Sequence, residues 1–551
     1  MKLKNTLFFH AFTVIVLLAS CCNNFQTKKI KHVVIIGVDG MSVAGVAESN
    51  TPNFDEYMKN GAWSMHTRNV IPTVSSPNWE AMLTGSYAAQ TGVTSNNWRY
   101  NNFSLPPVVT TENGRFPDIF YAIKKSNPAL TTAAIYHWSG FGNLFDHDFV
   151  DFDYDCADEK ATAQKVAEVI KNDKPNFLFI QLDHVDHAGH EFGHMTTKYF
   201  EAIELADQLA GEIVAASHEA GTYDHTLFLI VADHGGKGFG HGDETVAGNE
   251  VPFILFGGGV KKGYEIPAAV NLVDVAATSA FVLHVERPNV WMGKPVECAF
   301  EGAPEPKNLV GKFMAPSTFI PKIFPQKKNG EVGGLFVDEN AKVTMETLGK
   351  QGKIRFTTDG TIPTAKSQIY SSPLELSETT VVKATYFGDD GSQSASTEGF
   401  FRIVKNAGEK TGVNYAVYRG NNWAKLPDFN TLKPVEKGKS LEISTDQPAE
   451  LIKDYTGIVF EGFINIVKEG NYTFYTISDD GSKLYIDGNL VVDNDGDHGT
   501  QEKEASMSLT TGKHKIRVEY FNGGGGFYLN CLYKGPGVPR QIISPDILSI
   551  R

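Results

Sequence analysis

Four short apolar runs, 32–38, 176–182, 226–232 and 251–256, are each bounded by polar residues or glycine, as strands buried on both faces are. Between them, residues 161–171 and 197–219 carry apolar positions at helical spacing. Strands alternating with helices predict a mostly parallel sheet sandwiched by helices over residues 30–300, an α/β domain. Three of the strands run straight into acidic residues: Val38 into Asp39, Leu182 into Asp183 and then Asp186, and Ala232 into Asp233 and His234. In an open α/β sheet the ligand site lies beyond the carboxyl ends of the strands, so these acids are expected to converge.

The pattern changes after residue 300. Residues 301–335 carry Pro304, Pro306, Pro316, Pro321 and Pro325 with little periodicity, which predicts a linker packed over the surface. Residues 336–405 and 412–551 alternate strand-like runs with Gly and Asp turns, so two all-β sandwich domains are expected to follow the α/β domain. A chain of 551 residues also exceeds the roughly 250–300 residues that one core can serve.

At the N-terminus, Lys2 and Lys4 precede a mostly apolar run from Leu7 to Leu18, and then Leu18-Ala19-Ser20-Cys21. The run falls short of the ~20 residues that span a bilayer. The tetrad resembles a bacterial lipobox, which implies a signal peptide over residues 1–20, a lipid on Cys21, and an exported chain anchored to a membrane, periplasmic or at the cell surface. Of the five cysteines, Cys156, Cys298 and Cys531 remain beyond the Cys21-Cys22 pair. They lack metal-ligand spacing, and a pairing of Cys156 with Cys298 stays open. A net charge of −14 argues against binding a nucleic-acid duplex. It does not argue against a phosphate substrate, because bound metal ions can supply local positive charge.

Four segments carry candidate chemistry: Val38-Asp39-Gly40, the stretch from Ile71 to Asn78, Asp186 with His190, and Asp233-His234-Gly235 with His241. Taken singly, each has an ordinary explanation as a cap, a turn or a hydrogen-bonded pair. Taken together, they put carboxylates and imidazoles at one edge of the sheet, a ligand set that suits Zn²⁺ and similar ions.

The order and spacing of these segments resemble the alkaline phosphatase superfamily, and within it the nucleotide pyrophosphatase/phosphodiesterase branch. The resemblance implies a hydrolase of phosphoric esters, acting on a nucleotide, with two divalent metal ions, Zn²⁺ by preference; the company of the β domains points instead to a glycan-linked phosphate. One ion would be held by Asp39, Ser75, Asp233 and His234, the other by Asp186, His190 and His241. Ser75 would be the nucleophile, passing through a covalent phosphoseryl enzyme. Asn78 would donate to the phosphoryl oxygen, or cap a helix beginning near Trp79. Asp183, His187, His194 and Asp243 would support the ligands.

Two departures leave diester and monoester substrates both open. Ser75 stands where the branch usually has Thr, and only six residues separate His234 from His241. Other chemistries share the scaffold, a phosphomutase or a phosphonate hydrolase among them. A sulfatase is disfavoured, because Asn78-Trp79 stand where its motif needs Arg. A non-catalytic, glycan-binding surface lipoprotein is the contrasting reading, and predicts degenerate ligands; all seven positions are of ligand type.

In the β domains, Asp359-Gly360-Thr361-Ile362-Pro363 with Tyr370 and Pro373 resembles the C-terminal sandwich of chitobiases and hexosaminidases. The stretch from Gly470 to Gly488 resembles the protective-antigen-type sandwich. The second resemblance implies a glycan partner and a Ca²⁺ held by Asp479 and Asp480. The same pair is equally suited to a turn.

Overall fold

The computed structural model describes residues 29–242, 244–307, 309, 313–327 and 331–550, so Cys21 and Asp243 lie outside it. The apolar runs become the middle of an eight-stranded sheet. Its strands are β1 (His32–Val38), β2 (Ala62–Arg68), β3 (Thr132–Tyr136), β4 (Phe152–Asp155), β5 (Phe177–Leu182), β6 (Thr226–Ala232), β7 (Glu250–Gly257) and β8 (Tyr264–Glu265). They lie in the order β4-β3-β5-β1-β6-β7-β2-β8. From β4 to β6 every pairing is parallel, and β7 runs antiparallel to both β6 and β2.

The centre of the sheet is apolar because helices cover both faces. In the helix Thr197–Glu219, buried Tyr199, Ile203, Ala206, Ala210 and Ile213 recur at three- and four-residue steps, one stripe against the sheet. Thr196 caps that helix and Asp158 caps Glu159–Asn172, each accepting a backbone N–H of the first turn. Among the described residues no helix is long and apolar enough to cross a membrane. Cys156, Cys298 and Cys531 are all free thiols, which closes the pairing question.

Two mostly antiparallel sandwiches follow. The first packs a five-stranded sheet on a three-stranded one, and the second packs a larger sheet on a four-stranded one, each around its own apolar core. The expected linker needs correction. Lys322–Phe324 and Gly333–Val337 are strands that pair with Ala341–Glu346 and Gln393–Val404, so the first sandwich begins before residue 336. Pro321 and Pro325 flank the short strand, positions where a missing N–H costs the ladder nothing, and they were misread as breaking structure altogether.

The three units are tied by specific contacts. Glu250, at the start of β7, accepts the Ser317 backbone N–H at 2.7 Å, and Lys322 pairs with Glu48 at 2.8 Å. Between the sandwiches, buried Arg402 reaches Glu442 at 2.6 Å and Glu331 at 2.8 Å, and Glu331 in turn accepts from Asn530. A buried guanidinium keeps its charge only when its donors are satisfied, so this triad fixes one sandwich on the other.

Candidate active site

Register builds the site. On β1, Val38 lies opposite Leu182 of β5 on one side and Ala232 of β6 on the other. The next residue of each strand, Asp39, Asp183 and Asp233, therefore leaves the sheet at one level. Asp186 and His190 are four residues apart in the helix His184–Phe192 and share a face, with Asp186 Oδ2 3.3 Å from His190 Nε2. Gly40 lets the two segments meet. At φ +71° it occupies a left-handed conformation, and a Cβ there would lie 2.7 Å from Asp186 Cα.

Ser75 is the first residue of the helix Ser75–Thr84, which starts earlier than the expected Trp79. Pro77 is no obstacle to that start, because proline is tolerated in the first turn, where an N–H has no intrahelical acceptor. The consequence is chemical, since the Ser75 hydroxyl stands at the positive end of a helix. Its Oγ lies 3.4 Å from His234 Nε2, which is itself 3.4 Å from Asp39 Oδ1 and 3.3 Å from Asp233 Oδ2.

The hydrogen bonds around these groups sort their atoms. Asp39 Oδ2 accepts from Trp79 Nε1 and Gln181 Nε2, whereas its Oδ1 is buried without a partner. Asp233 Oδ1 accepts the backbone N–H groups of Gly40 and His234, and its Oδ2 is likewise bare. His234 Nδ1 faces Gly235 O at 2.9 Å; a carbonyl only accepts, so Nδ1 carries the hydrogen. Burial, then neighbouring His241, hold the His234 pKa well below the usual range, so the ring is neutral and Nε2 presents a lone pair. Lone pairs thus face one another in a buried space. Burial, and then the Asp233 charge for Asp39 and the Asp186 charge for Asp233, push both well above the ordinary carboxylate range.

The second group repeats the logic. His190 Nδ1 donates to Phe239 O and His241 Nδ1 to Thr73 O, at 2.8 and 2.9 Å, which turns both Nε2 atoms toward Asp186 Oδ2. Burial presses Asp186 upward, but His241 and His190 hold it below its usual range. The Asp186 contact in turn raises His190 to about 9. The His234 and His241 rings stack at 3.8 Å, so the two groups are neighbours. The unpartnered carboxylate oxygens of Asp39, Asp233 and Asp186, gathered with imidazoles anchored through Nδ1, match the demands of divalent cations with N/O ligation. All seven expected ligands are brought into these two groups.

Asn78 departs from expectation. Its Nδ2 donates to Pro72 O and Val74 O, and its Oδ1 accepts from Val70 N, so the amide clamps the loop before Ser75 and has no hydrogen left for a phosphoryl oxygen. Asn96, missed in the sequence, sits closer to that task. Its Oδ1 accepts from Ser76 N at 2.8 Å, beside Ser75, which leaves the NH₂ group as the donor. Trp79 and Gln181 were also missed, since nothing local marks a buried indole or amide as a carboxylate partner.

Among the supports, Asp183 shares the Gln181 amide with Asp39. His187 is exposed beside Glu191. His194 is packed against Gly189, Gly236 and Tyr199 without a polar partner, and burial lowers it to about 4. His137, Glu159 and His184 also bring ligand atoms within 4.8 Å of one another. There, however, His137 Nε2 already accepts the Asp183 N–H, so that ring supports the β5 end.

In the second sandwich, Asp480 accepts the backbone N–H groups of His498 and Gly523, which is the turn-holding alternative for the Asp479-Asp480 pair. Asp479 is pushed up to about 7 by burial and then by Asp480.

A model of the type I phosphodiesterase / nucleotide pyrophosphatase family matches residues 33–251, the stretch that contains every ligand above. That stretch is thus similar to the family over the whole of the candidate site. The chitobiase/β-hexosaminidase C-terminal domain model matches 332–398 and the PA14 domain model 409–546, in agreement with the two sandwiches. Within the phosphodiesterase region, the chain is 25% identical over 231 residues to rat ectonucleotide pyrophosphatase/phosphodiesterase family member 3, covering 37% of this chain and 24% of the relative. It is 26% identical over 233 residues to GPI ethanolamine phosphate transferase 1 of Saccharomyces cerevisiae, covering 39% and 24%. The chain thus spans about a quarter of the length of these relatives. The structure of human ectonucleotide pyrophosphatase/phosphodiesterase 5 aligns at a TM-score of 0.42 and 16% identity, over 49% of this chain and all of that one.

Replacing Gly40 by Ala is expected to force Asp186 away and weaken binding at its group, on the order of 10–100-fold in zinc affinity. Competition titration against a zinc chelator checks it, and unchanged affinity would show that the close approach is not required.

Proposed function

We propose that the chain is a two-metal phosphodiesterase that works through a phosphoseryl intermediate at Ser75. The observation that carries this is the placement of Ser75 Oγ at 3.4 Å from His234 Nε2, within a group of bare carboxylate oxygens and at a helix N-terminus. When bound, a pair of divalent ions would neutralise these acceptors, lower the pKa of the serine hydroxyl and stabilise charge on phosphoryl oxygens.

The chain's own residues define the rest. Ser75 Oγ attacks phosphorus from the helix N-terminus, forming a P–O bond as the bond to the leaving alcohol breaks and its electron pair departs on that oxygen. Water then attacks the phosphoserine, releasing the remaining phosphoester and restoring the hydroxyl. Asn96 is placed to donate to a phosphoryl oxygen as charge builds there. Trp79 and Gln181 hold Asp39 in a single orientation throughout, so no reorganisation is spent on it.

The diester substrate rests on the family of residues 33–251, and a nucleotide or glycan-linked alcohol is the expected partner. The protein is exported and lipid-anchored through Cys21, on the strength of the tetrad Leu18-Ala19-Ser20-Cys21. Metabolic labelling with a palmitate analogue should mark the wild type and not Cys21→Ala; equal labelling of both would overturn the anchor.

For the chemistry, nitrophenyl diester, monoester and sulfate are compared with and without chelator. Diester turnover should dominate, vanish with chelator, return with Zn²⁺ and fall at least about 1,000-fold in Ser75→Ala. Chelator-insensitive turnover, or an active Ser75→Ala variant, would sink the mechanism.

A further inference from the structure

The helix that begins at Ser75 is buried along its whole length, and it carries an acid in its interior. Glu80 is 4% exposed and its Oε2 has no hydrogen-bond partner. It stands four residues after Ser76, so the two share a face of the helix. Trp98 is in the same position as a donor: its Nε1 is buried and equally without a partner. Both residues line one cavity of about 10 Å³. Burial and then the Asp118 charge raise Glu80 well above the ordinary carboxylate range, which favours the neutral carboxyl.

We propose that Glu80 and Trp98 hold one buried water between them, and that this water fixes the Asn96 loop against the Ser75 helix. Glu80 is thus a positioning residue for Asn96. The inference rests on the phosphodiesterase reading above and adds to it the device that places Asn96.

Chemistry selects the occupant. An indole N–H only donates, so Trp98 cannot ligate a cation, and Arg115, which also lines the cavity, would repel one. An apolar guest would leave both polar groups unsatisfied. Water accepts from Nε1 and bonds to the carboxyl at the same time, and the space is close to the roughly 10–15 Å³ that one water needs. The link to Asn96 runs through the loop itself. Asn96 Oδ1 holds Ser76 N at 2.8 Å, and Arg99 Nη1 donates to both Asn96 O and Trp98 O, at 3.0 and 2.7 Å. Asn96 and Trp98 therefore belong to one tied turn, which grips the helix at two levels, Ser76 and Glu80. With the second grip lost, the Asn96 amide keeps its bond to Ser76 but gains freedom to swing away from a phosphoryl oxygen.

The test uses the full-length, zinc-loaded protein and methyl nitrophenyl phosphate. Glu80→Leu and Trp98→Phe should each lower kcat about tenfold with little change in KM. The double variant should lose no more than either, because both act through one water. Glu80→Gln, which can still donate and accept, should recover most of the loss. In an Asn96→Ala background, Glu80→Leu should change kcat by less than about twofold. Zinc content, and thermal unfolding of the metal-free protein, establish that each variant is folded. Additive losses, or an undiminished effect of Glu80→Leu without Asn96, would make Glu80 a packing residue and overturn the proposal. So would a crystal structure with no water in hydrogen-bond reach of both Glu80 Oε2 and Trp98 Nε1. A wild type without diester turnover would instead overturn the phosphodiesterase reading, and with it the catalytic role of Glu80.

Discussion

Val38 lies opposite Leu182 and Ala232 at once, and that double register decides where the next residue of three strands can go. A slip of one residue in either ladder would turn the terminal side chain to the opposite face and separate the carboxylates. The apolar runs make such a slip costly, because β1, β5 and β6 are buried along almost their whole length. Burial of the central strands is thus what holds the acidic cluster together. The charges make no contribution to that convergence; they oppose it.

The opposition has a use. Each carboxylate of the first group is divided between an oxygen fixed by N–H donors and an oxygen left bare, and each imidazole is anchored through Nδ1 so that Nε2 points inward. An enclosed set of lone pairs is unstable without cations and pre-arranged for them, so little structure has to move on binding. The Ser75 hydroxyl joins this set at the start of a helix, where the backbone also favours negative charge.

How far the sequence disclosed this varies with the range of the interaction. Strand positions and the grouping of the candidate ligands were legible because apolar periodicity and motif spacing are local signals. The start of the Ser75 helix was not, because Asn78 is itself a good capping residue and the choice between it and an earlier start is made by the loop's closure. Asn78 looked available for the substrate, yet its amide is taken by the carbonyls of Pro72 and Val74 and the N–H of Val70, bonds that exist only once the loop is closed. Asn96, Trp79 and Gln181 act across the fold, from 20, 40 and 142 residues away from their partners. Such contacts leave no pattern in the chain. The strands within 301–335 were hidden for a related reason, since short strands broken by proline have no measurable periodicity.

Nor could the sequence place one sandwich on the other, since that depends on Arg402 and its two carboxylates. The central claim, that the in-register strand ends and their helices form two cation sites around Ser75, is tested most directly by anomalous diffraction at the zinc edge from crystals grown with Zn²⁺. Two peaks are predicted: one bounded by Asp39, Ser75, Asp233 and His234, the other by Asp186, His190 and His241. The absence of either peak, or a first ion that touches neither Asp39 nor Asp233, would contradict the account.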